Sequence, residues 1–435
     1  MKQIIFSALF ACTLALQGMA LQTIPVTWDE VKAKGLDKNL QIQQAEKDTK
    51  IAEAELSAAR SLFLPDVTAS YGFVVTNDPM MAFGTRLSQK RIKQEDFQPD
   101  LLNHPSSISD FTTQLTVQQP IINVDGMYQK KAGQSKAEAL RLKSIRTKEH
   151  MEFELKKAFM GLQLAYKVKQ TLEEAQSTVA AHQKLVRDYL DNGMVQKADL
   201  LDVEVRLTEI RNQLHQAESG ILNASDYIFF LLNEDGEGKV LQPEKDLQLE
   251  AFPAEYPASL NEDRADFRAY QKSIESFGYM SKSAQAKFLP RLNAFGSFGL
   301  HNKNIGAFRN EGYMAGIQLS WNLFDGFKAN SERRTYLANQ DKMQTELELH
   351  LKSSELEFQK TYRQLSDARN SVVLAEQALK QSEEAYRIRK NRFEEGLEKN
   401  TDLLEAESKV DAKKLAYQQA IYEYNTTLTY YQFLK

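Results

Sequence analysis

The feature that most constrains this chain is a long helical hairpin near its C-terminal end, between Gly326 and about Tyr430. Two proline-free arms flank a short break at residues 395–400, and a stripe of inward positions steps alternately by three and four residues. A spacing that averages about 3.5 residues keeps one stripe facing a partner over many turns, as in a coiled coil. The stripes are Val372, Ala375, Leu379, Ser382, Tyr386, Arg389 and Phe393, then Leu403, Ala406, Val410, Lys413, Tyr417, Ala420 and Tyr424. An arm of about 65 residues is about 95 Å long, which predicts a protein that spans a distance.

Charge and hydropathy exclude two classes of protein. The 435 residues carry a net charge of only −4, although 26% of them are charged. Nucleic-acid binding needs a clustered basic surface, and this balance offers none. A mean hydropathy of −0.50 excludes a protein built from several membrane-spanning helices.

The first twenty residues have the pattern of an export signal. Lys2 precedes an apolar run at residues 4–16, and Gly18 and Ala20 supply the small residues of a cleavage site. We therefore expect residues 1–20 to be removed. Cys12, the only cysteine, lies in this run, so we expect no disulfide framework. The stretch ending at Cys12 loosely resembles a lipoprotein cleavage box, and lipidation stays open beside an ordinary signal-peptide cysteine.

Four short segments alternate apolar with small or polar residues, the period of a β-strand. A helix at 27–60, ended by Leu64-Pro65, precedes the first strand, and a helix at 264–287, ended by Leu289-Pro290, precedes the third. The predicted strands are residues 67–74, 111–118, 292–300 and 313–321.

The order of elements repeats, which indicates an internal duplication. The anchors that tie the two copies are Leu64-Pro65 with Leu289-Pro290, Asp125-Gly126 with Asp325-Gly326, and residues 193–202 with 396–405. Their offsets predict about 25 extra residues in a polar connection around 80–109 of the first copy. The predicted organisation is a signal at 1–20, a first repeat at 21–240, an equatorial connector at 241–262 and a second repeat at 263–435.

Two-faced strands after an export signal are typical of an outer-membrane barrel, with apolar residues toward lipid. An ordinary antiparallel sheet on a core is the alternative. Four strands cannot close a barrel, and an open edge cannot lie in lipid. Three copies of the chain would supply twelve strands in a cyclic assembly. The residues expected to face lipid are Tyr71, Phe73, Phe111, Leu115, Val117, Tyr313, Ile317, Leu319 and Trp321.

Together, the export signal, the duplicated helix–strand–strand–hairpin order, Leu-Pro before each first strand and Asp-Gly after each second strand resemble the TolC-like outer-membrane efflux proteins. The resemblance covers about residues 25–435. It implies a mainly α fold with a small β part: long coiled-coil hairpins form a periplasmic α-barrel, and four strands per chain contribute to a trimeric twelve-stranded β-barrel. It also implies a homotrimeric exit duct of a tripartite efflux pump or type I secretion system. The implied partners are a periplasmic adaptor protein and an inner-membrane transporter.

The resemblance implies that the two hairpin breaks lie at the periplasmic tips of the helical tunnel. The implied adaptor-docking residues are Gly193, Met194, Val195, Gly396, Leu397 and Glu398. The implied entrance gate is a ring of carboxylates from Asp402, Glu405, Asp199 and Asp202. Because an Asp at the start of a helix is often only a cap, capping is the favoured interpretation for Asp199 and Asp202, and gating for the other two. Arg389 is expected to form an ion pair between the arms or to extend its charge to water.

Two other function classes were weighed against the channel. The six histidines are scattered without HExxH spacing, and no GxxxxGKS/T motif or cysteine nucleophile is present, so we expect no enzyme, catalytic residue, cofactor or metal. An exported coiled-coil scaffold or adhesin-like protein would also explain the heptads, but it leaves the four strands without a purpose. The resemblance implies that the transporter, and not this chain, selects the exported substrate.

Overall fold

Long helices carry most of the chain, and the strands form two separate sheets in the residues that the structure describes. The computed structural model describes residues 22–252 and 260–435. The predicted signal at 1–20, with Cys12, and part of the predicted connector lie outside these residues. The strands are β1 Gln22–Val26, β2 Asp66–Thr76, β3 Ile108–Ile122, β4 Lys239–Pro243, β5 Arg291–Asn302 and β6 Glu311–Ser320. The helices are α1 Trp28–Lys38, α2 Leu40–Ser61, α3 Pro79–Ser88, α4 Pro99–Asn103, α5 Val124–Asp191, α6 Lys197–Leu232, α7 Ala265–Ala286, α8 Lys328–Glu394 and α9 Asn400–Leu434.

The two long hairpins confirm the prediction from the heptad pattern. Helices α5 and α8 have 68 and 67 residues, and α6 and α9 return from them. Most predicted inward positions of the second hairpin are shielded from solvent, Phe393 at 4% and Tyr424 at 0% exposure among them, whereas Arg389 is exposed. No helix within 22–252 or 260–435 combines the length and the apolar character needed to cross a bilayer.

The chain divides into two units, each with segments from both halves of the sequence. The first unit contains the described residues up to 43, then 147–261 and 354–435. In its core, β1 and β4 form a parallel pair, and α1 packs closely on α5: a Cβ on Gly35 would lie 2.4 Å from a methyl carbon of Leu155. A second cluster in this unit joins α8 to α9 through Phe358, Leu365 and Tyr424.

The second unit, residues 44–146 and 262–353, contains the four-stranded sheet. Its order is β2–β3–β5–β6, and every neighbouring pair is antiparallel. Residues directly opposite each other in a ladder lie on the same face. The register therefore places the predicted apolar residues on one face, since Phe73 is opposite Phe111, Leu115 is opposite Phe298, and Phe298 is opposite Tyr313. Trp321 lies one residue beyond the end of β6.

The predicted single helix at 27–60 is wrong, because the chain breaks at Asn39 between α1 and α2. The buried side chain of Asn39 accepts hydrogen bonds from the backbone amides of Gln41 and Ile42, which caps the start of α2. Its amide group donates to the carbonyl oxygen of Leu231 at 2.9 Å. A polar residue with such a tertiary partner overrides a continuous helical pattern.

Strands β1 and β4 were not predicted, and β4 crosses the predicted boundary between the first repeat at 21–240 and the connector at 241–262. Each strand has five residues and contains a proline, Pro25 in β1 and Pro243 in β4. Proline weakens a strand prediction because it cannot donate to the ladder. The pair is stabilised by burial of Val240 and Leu241 in the core of the first unit.

The extra residues of the first copy lie where the sequence predicted them, between β2 and β3, but they are not an irregular connection. The segment 77–107 contains α3, α4 and a short 3-10 helix at Gln94–Phe97, whereas 303–310 joins β5 to β6 directly. Asp78 caps α3 by accepting from the amide of Met81. The buried side chain of Gln89 then ties the segment to β3, donating to the Asp110 carboxylate and the Ser109 carbonyl oxygen at 2.8 Å each.

Candidate functional site

The two hairpin turns have the same backbone geometry. Tip 1 (residues 192–196) joins α5 to α6, and tip 2 (residues 395–399) joins α8 to α9. Gly193 and Gly396 take the left-handed conformation, with φ of 69° and 74°. The amide of the next residue bonds back to the helix in each turn, Met194 to the Tyr189 carbonyl and Leu397 to the Arg392 carbonyl, both at 2.8 Å. This is the glycine-terminated helix end known as the Schellman motif.

Each tip exposes one apolar side chain directly after its glycine. Met194 is 65% exposed in tip 1, and Leu397 is 64% exposed in tip 2. A large apolar side chain at an exposed turn has no role in the core of its own hairpin. The duplicated sequence therefore presents two equivalent apolar contact points.

The side chains that brace the two tips differ. In tip 1, Val186 is fully buried, and Tyr189 and Val195 pack against the same hydrophobic cluster. We call this cluster the tip cluster, and its buried members are Ala175, Val179, Val186, Val203, Leu207, Ile210, Phe393, Leu403 and Leu404.

The matching positions of tip 2, seven and four residues before the glycine and two after it, are Arg389, Arg392 and Glu398. Glu398 accepts a hydrogen bond from Arg389 at 3.0 Å and forms an ion pair with Arg392 at 2.9 Å, and its side chain is only 13% exposed. Arg389 thus pairs with the turn of its own hairpin, and Glu398 is held inside tip 2.

The starts of α6 and α9 lie together, because Asn400 donates to the backbone carbonyl of Asp199 at 2.9 Å. The Asp199 carboxylate accepts from the Gln196 amide at 2.9 Å and so caps α6, as the capping interpretation predicts. Asp202 and Glu405 are exposed, and Asp402 is partly exposed in the first turn of α9. The chain therefore brings the candidate carboxylates of both hairpins to one end of its first unit.

Sequence reasoning missed a buried polar group on the helices just beyond the tips. It comprises His182 on α5, Arg206 on α6, Tyr386 on α8, and Glu407 and Asp411 on α9. His182 Nδ1 lies 3.6 Å from Glu407 Oε2, and Arg206 donates to Asp411 at 3.0 Å. A signal was available: Ala175, Val179, His182 and Val186 follow a 4,3,4 spacing that predicts an inward position for the histidine.

Burial, with a smaller contribution from acidic neighbours, raises the pKa values of two members of this group. Burial, together with the charges of Glu407 and Asp411, raises the pKa of Tyr386 to about 12. Burial also raises the pKa of the Asp411 carboxyl, Glu407 adds to the rise, and Arg206 opposes it. Both shifts disfavour negative charge on the group.

In the second unit, one face of the sheet exposes most of the residues predicted to face lipid. Tyr71, Phe73 and Leu115 are 49%, 57% and 43% exposed. The exposed fractions are larger on β6, at 86% for Tyr313 and 73% for Ile317. Leu319 and Trp321 are exposed as well, whereas Phe111 and Val117 are half-buried. A continuous exposed apolar face of this size is typical of a surface that contacts lipid or another chain.

The described residues contain no group of three or more histidine, cysteine or acidic side chains arranged to hold a metal ion.

Comparison with solved structures identifies this fold. The chain is similar to the CmeC outer membrane channel of Campylobacter jejuni, with a TM-score of 0.79 and 16% identity over 94% of this chain and 85% of that one. VceC of Vibrio cholerae matches with a TM-score of 0.76 and 16% identity, covering 94% and 95%. The open state of the MtrE channel of Neisseria gonorrhoeae matches with 0.72 and 14%, covering 94% and 88%. At these identities the likeness shows the fold alone.

A comparison with curated proteins found no match. The sequence profile described as "Outer membrane efflux protein" matches residues 33–234 and 257–430, which is most of the chain and confirms the duplication. The chain therefore belongs to the outer membrane efflux protein family, as a channel protein of the outer membrane with a large periplasmic part.

Proposed function

We propose that this protein is a homotrimeric channel-tunnel that serves as the exit duct of a tripartite efflux pump or type I secretion system. The observation that carries the proposal is the four-stranded sheet with two unpaired edges, β2 and β6, and one exposed apolar face. An unpaired strand edge in lipid leaves backbone amide and carbonyl groups without partners, at a cost of several kcal/mol each. Further copies of the chain must therefore supply the missing neighbours.

Three copies satisfy this requirement. In the order β2–β3–β5–β6, the outer strands β2 and β6 run in opposite directions. An edge β6 of one protomer can therefore pair antiparallel with β2 of the next, and the ring closes with twelve strands. Lipid then contacts the exposed face that carries Tyr71, Phe73, Leu115, Tyr313 and Ile317. The predicted lipid contacts of Phe111, Val117, Leu319 and Trp321 belong to the same face or its rim.

The tips form the periplasmic entrance in this proposal. Asp402 and Glu405 from three protomers form a ring of six carboxylates that attracts cations and disfavours anions. Asp199 is engaged in its cap, and Asp202 adds charge beside the ring. A periplasmic adaptor docks on Met194 and Leu397, and an inner-membrane transporter delivers the exported molecule. The partners open the tips, and the conduit itself uses no energy source.

The proposed division of the chain follows the duplication. A signal at 1–20 is removed, the repeats are 21–240 and 263–435, and 241–262 connects them. The two matches of the family profile, at 33–234 and 257–430, support these bounds.

Single-channel conductance in a planar bilayer tests the proposal. We expect the detergent-extracted wild type to show small cation-selective steps, and the double variant Asp402→Ala/Glu405→Ala to show larger or less selective steps. Glu423→Ala is the matched control, since it removes an exposed carboxylate of α9 far along the helix from the tip. Steps that the double variant leaves unchanged would keep the channel and remove these carboxylates as its constriction. A protein that is soluble without detergent and shows no conductance would contradict the channel.

A further inference from the structure

The buried pair His182–Glu407 joins α5 of the first hairpin to α9 of the second. Both residues are nearly inaccessible, at 8% and 3% exposure. Both ring nitrogens of His182 and both carboxylate oxygens of Glu407 are buried without a hydrogen-bond partner. Buried polar atoms are normally paired, since an unpaired one costs about 1–3 kcal/mol. The distance of 3.6 Å between Nδ1 and Oε2 is slightly too long for a hydrogen bond.

The surroundings of the pair are short of positive charge. The charge of Glu407 acts on Tyr386 of α8 and Asp411 of α9, and the other charges that act on these two groups include Arg206 from α6, Glu394 from α8 and Lys414 from α9. Arg206 is paired with Asp411 at 3.0 Å, and Lys414 lies 3.4 Å from Glu174 of α5. Arg206 is thus already committed to Asp411, and neither carboxylate oxygen of Glu407 has a hydrogen-bond partner.

A proton on His182 resolves this imbalance. A protonated imidazole donates from both nitrogens and carries the missing positive charge, and imidazole is the side chain that titrates between about pH 5 and pH 8. The ring also contacts Phe393 edge to face, at 5.5 Å between centroids, within the apolar tip cluster. Little reorganisation is needed, because shortening the separation by a few tenths of an ångström forms a charge-assisted hydrogen bond.

We propose that His182 and Glu407 form a proton-operated latch that ties the first hairpin to the second near the tips when the surroundings become mildly acidic. The latch requires that the folded protein bind a proton that the unfolded chain does not bind at the same pH. Stability therefore rises as the pH falls from about 8 to about 6, and it is lost as the pH rises. If the tips are the entrance of a channel, as proposed above, the latch favours the closed entrance at low pH. That consequence rests on the proposed function, whereas the latch itself does not.

The rate of unfolding in denaturant, measured in detergent from pH 6 to pH 8, tests the latch without any assay of transport. We expect the wild type to unfold about tenfold more slowly at pH 6 than at pH 8, the size of effect that one charged hydrogen bond supplies. His182→Gln and Glu407→Gln should each remove this dependence, and the double variant should add no further loss. His215→Gln is the matched control, because His215 is an exposed histidine on α6, and it should keep the wild-type dependence.

A wild type with no such dependence, or one that survives in His182→Gln, overturns the proposal. Should a variant not fold, amide hydrogen exchange of the wild type decides the question after correction for intrinsic exchange rates. The latch predicts slower opening at pH 6 than at pH 8 near residues 175–186 and 403–411, and not in β1 and β4. A uniform change along the chain contradicts it. Failure of the conductance experiment would remove the channel and leave this result intact.

Discussion

The two hairpin tips have the same backbone conformation, but different side-chain interactions stabilise it. Tip 1 is braced by the apolar residues Val186, Tyr189 and Val195, and tip 2 by an ionic group in which Glu398 pairs with two arginines. The left-handed glycine and the returning amide bond are the same in both. The left-handed glycine and the returning amide hydrogen bond therefore set the turn, and the side chains around it can be either apolar or ionic.

The two braces should respond differently to conditions. Apolar packing is insensitive to salt, whereas ion pairs between partly exposed side chains are screened. Arg389 and Arg392 are 44% and 56% exposed, so tip 2 rests on an interaction that solvent weakens. Tip 2 is therefore the tip whose stability ionic strength can adjust.

Substitutions at the position seven residues before each glycine should give the largest difference between the tips in the free energy of unfolding. Val186→Arg places a charge at a fully buried position without a partner, and we expect a loss of about 3 kcal/mol or more in the free energy of unfolding. Arg389→Val removes one exposed ion pair and should cost about 1 kcal/mol or less. Denaturant unfolding in detergent measures both. Equal losses would contradict the distinction between the two braces.

Removing glycine should affect both tips alike. Gly193→Ala and Gly396→Ala force a side chain into the left-handed region, which costs about 1–2 kcal/mol in each case. Gly220→Ala is the matched control: it lies inside α6 with open space around its Cβ position, so it should stabilise the protein by about 0.5–1 kcal/mol. A marked difference between the two tip variants would show that the braces, and not the backbone, set the turn.

The smallest expected difference between the two tips is the response of their stability to salt. At low ionic strength, Glu398→Gln should destabilise tip 2 by about 0.5–1 kcal/mol, and the loss should shrink toward zero in about 1 M salt. Val195→Ala should destabilise tip 1 by a similar amount that salt does not reduce. Hydrogen exchange of the amides of Met194 and Leu397 reports each tip separately. Salt dependence in Val195→Ala, or its absence in Glu398→Gln, would reverse the assignment.

Patterns with many repeats along the chain predicted the elements correctly. The 3,4 spacing around Phe393 and Tyr424 identified the hairpins, and the alternation around Leu115 and Ile317 identified the strands of the large sheet. These signals are strong because each turn or each second residue adds independent evidence for the same face. Asp-Gly and Leu-Pro, which recur in both copies, then aligned the repeats.

Features that depend on one distant partner were not predictable. The break at Asn39 depends on the carbonyl oxygen of Leu231, and β1 depends on β4, more than two hundred residues later. Gln89 holds the segment 77–107 by reaching Asp110. Each of these contacts joins segments whose own sequences carry no trace of the other, so local pattern alone favours a continuous helix or a polar connection.

The sequence by itself determined the class of this protein, because periodic burial over about 65-residue arms and alternation over short strands admit few folds. It also located both tips, since a glycine that ends each long stripe must turn the chain. Only the tertiary structure decided which charges meet: that Glu398 is held by Arg389 and Arg392, that Asp199 caps its helix, and that His182 faces Glu407 inside the packed helices. Such pairs are chosen by distances of a few ångströms between helices, and those distances are set by packing across the whole unit.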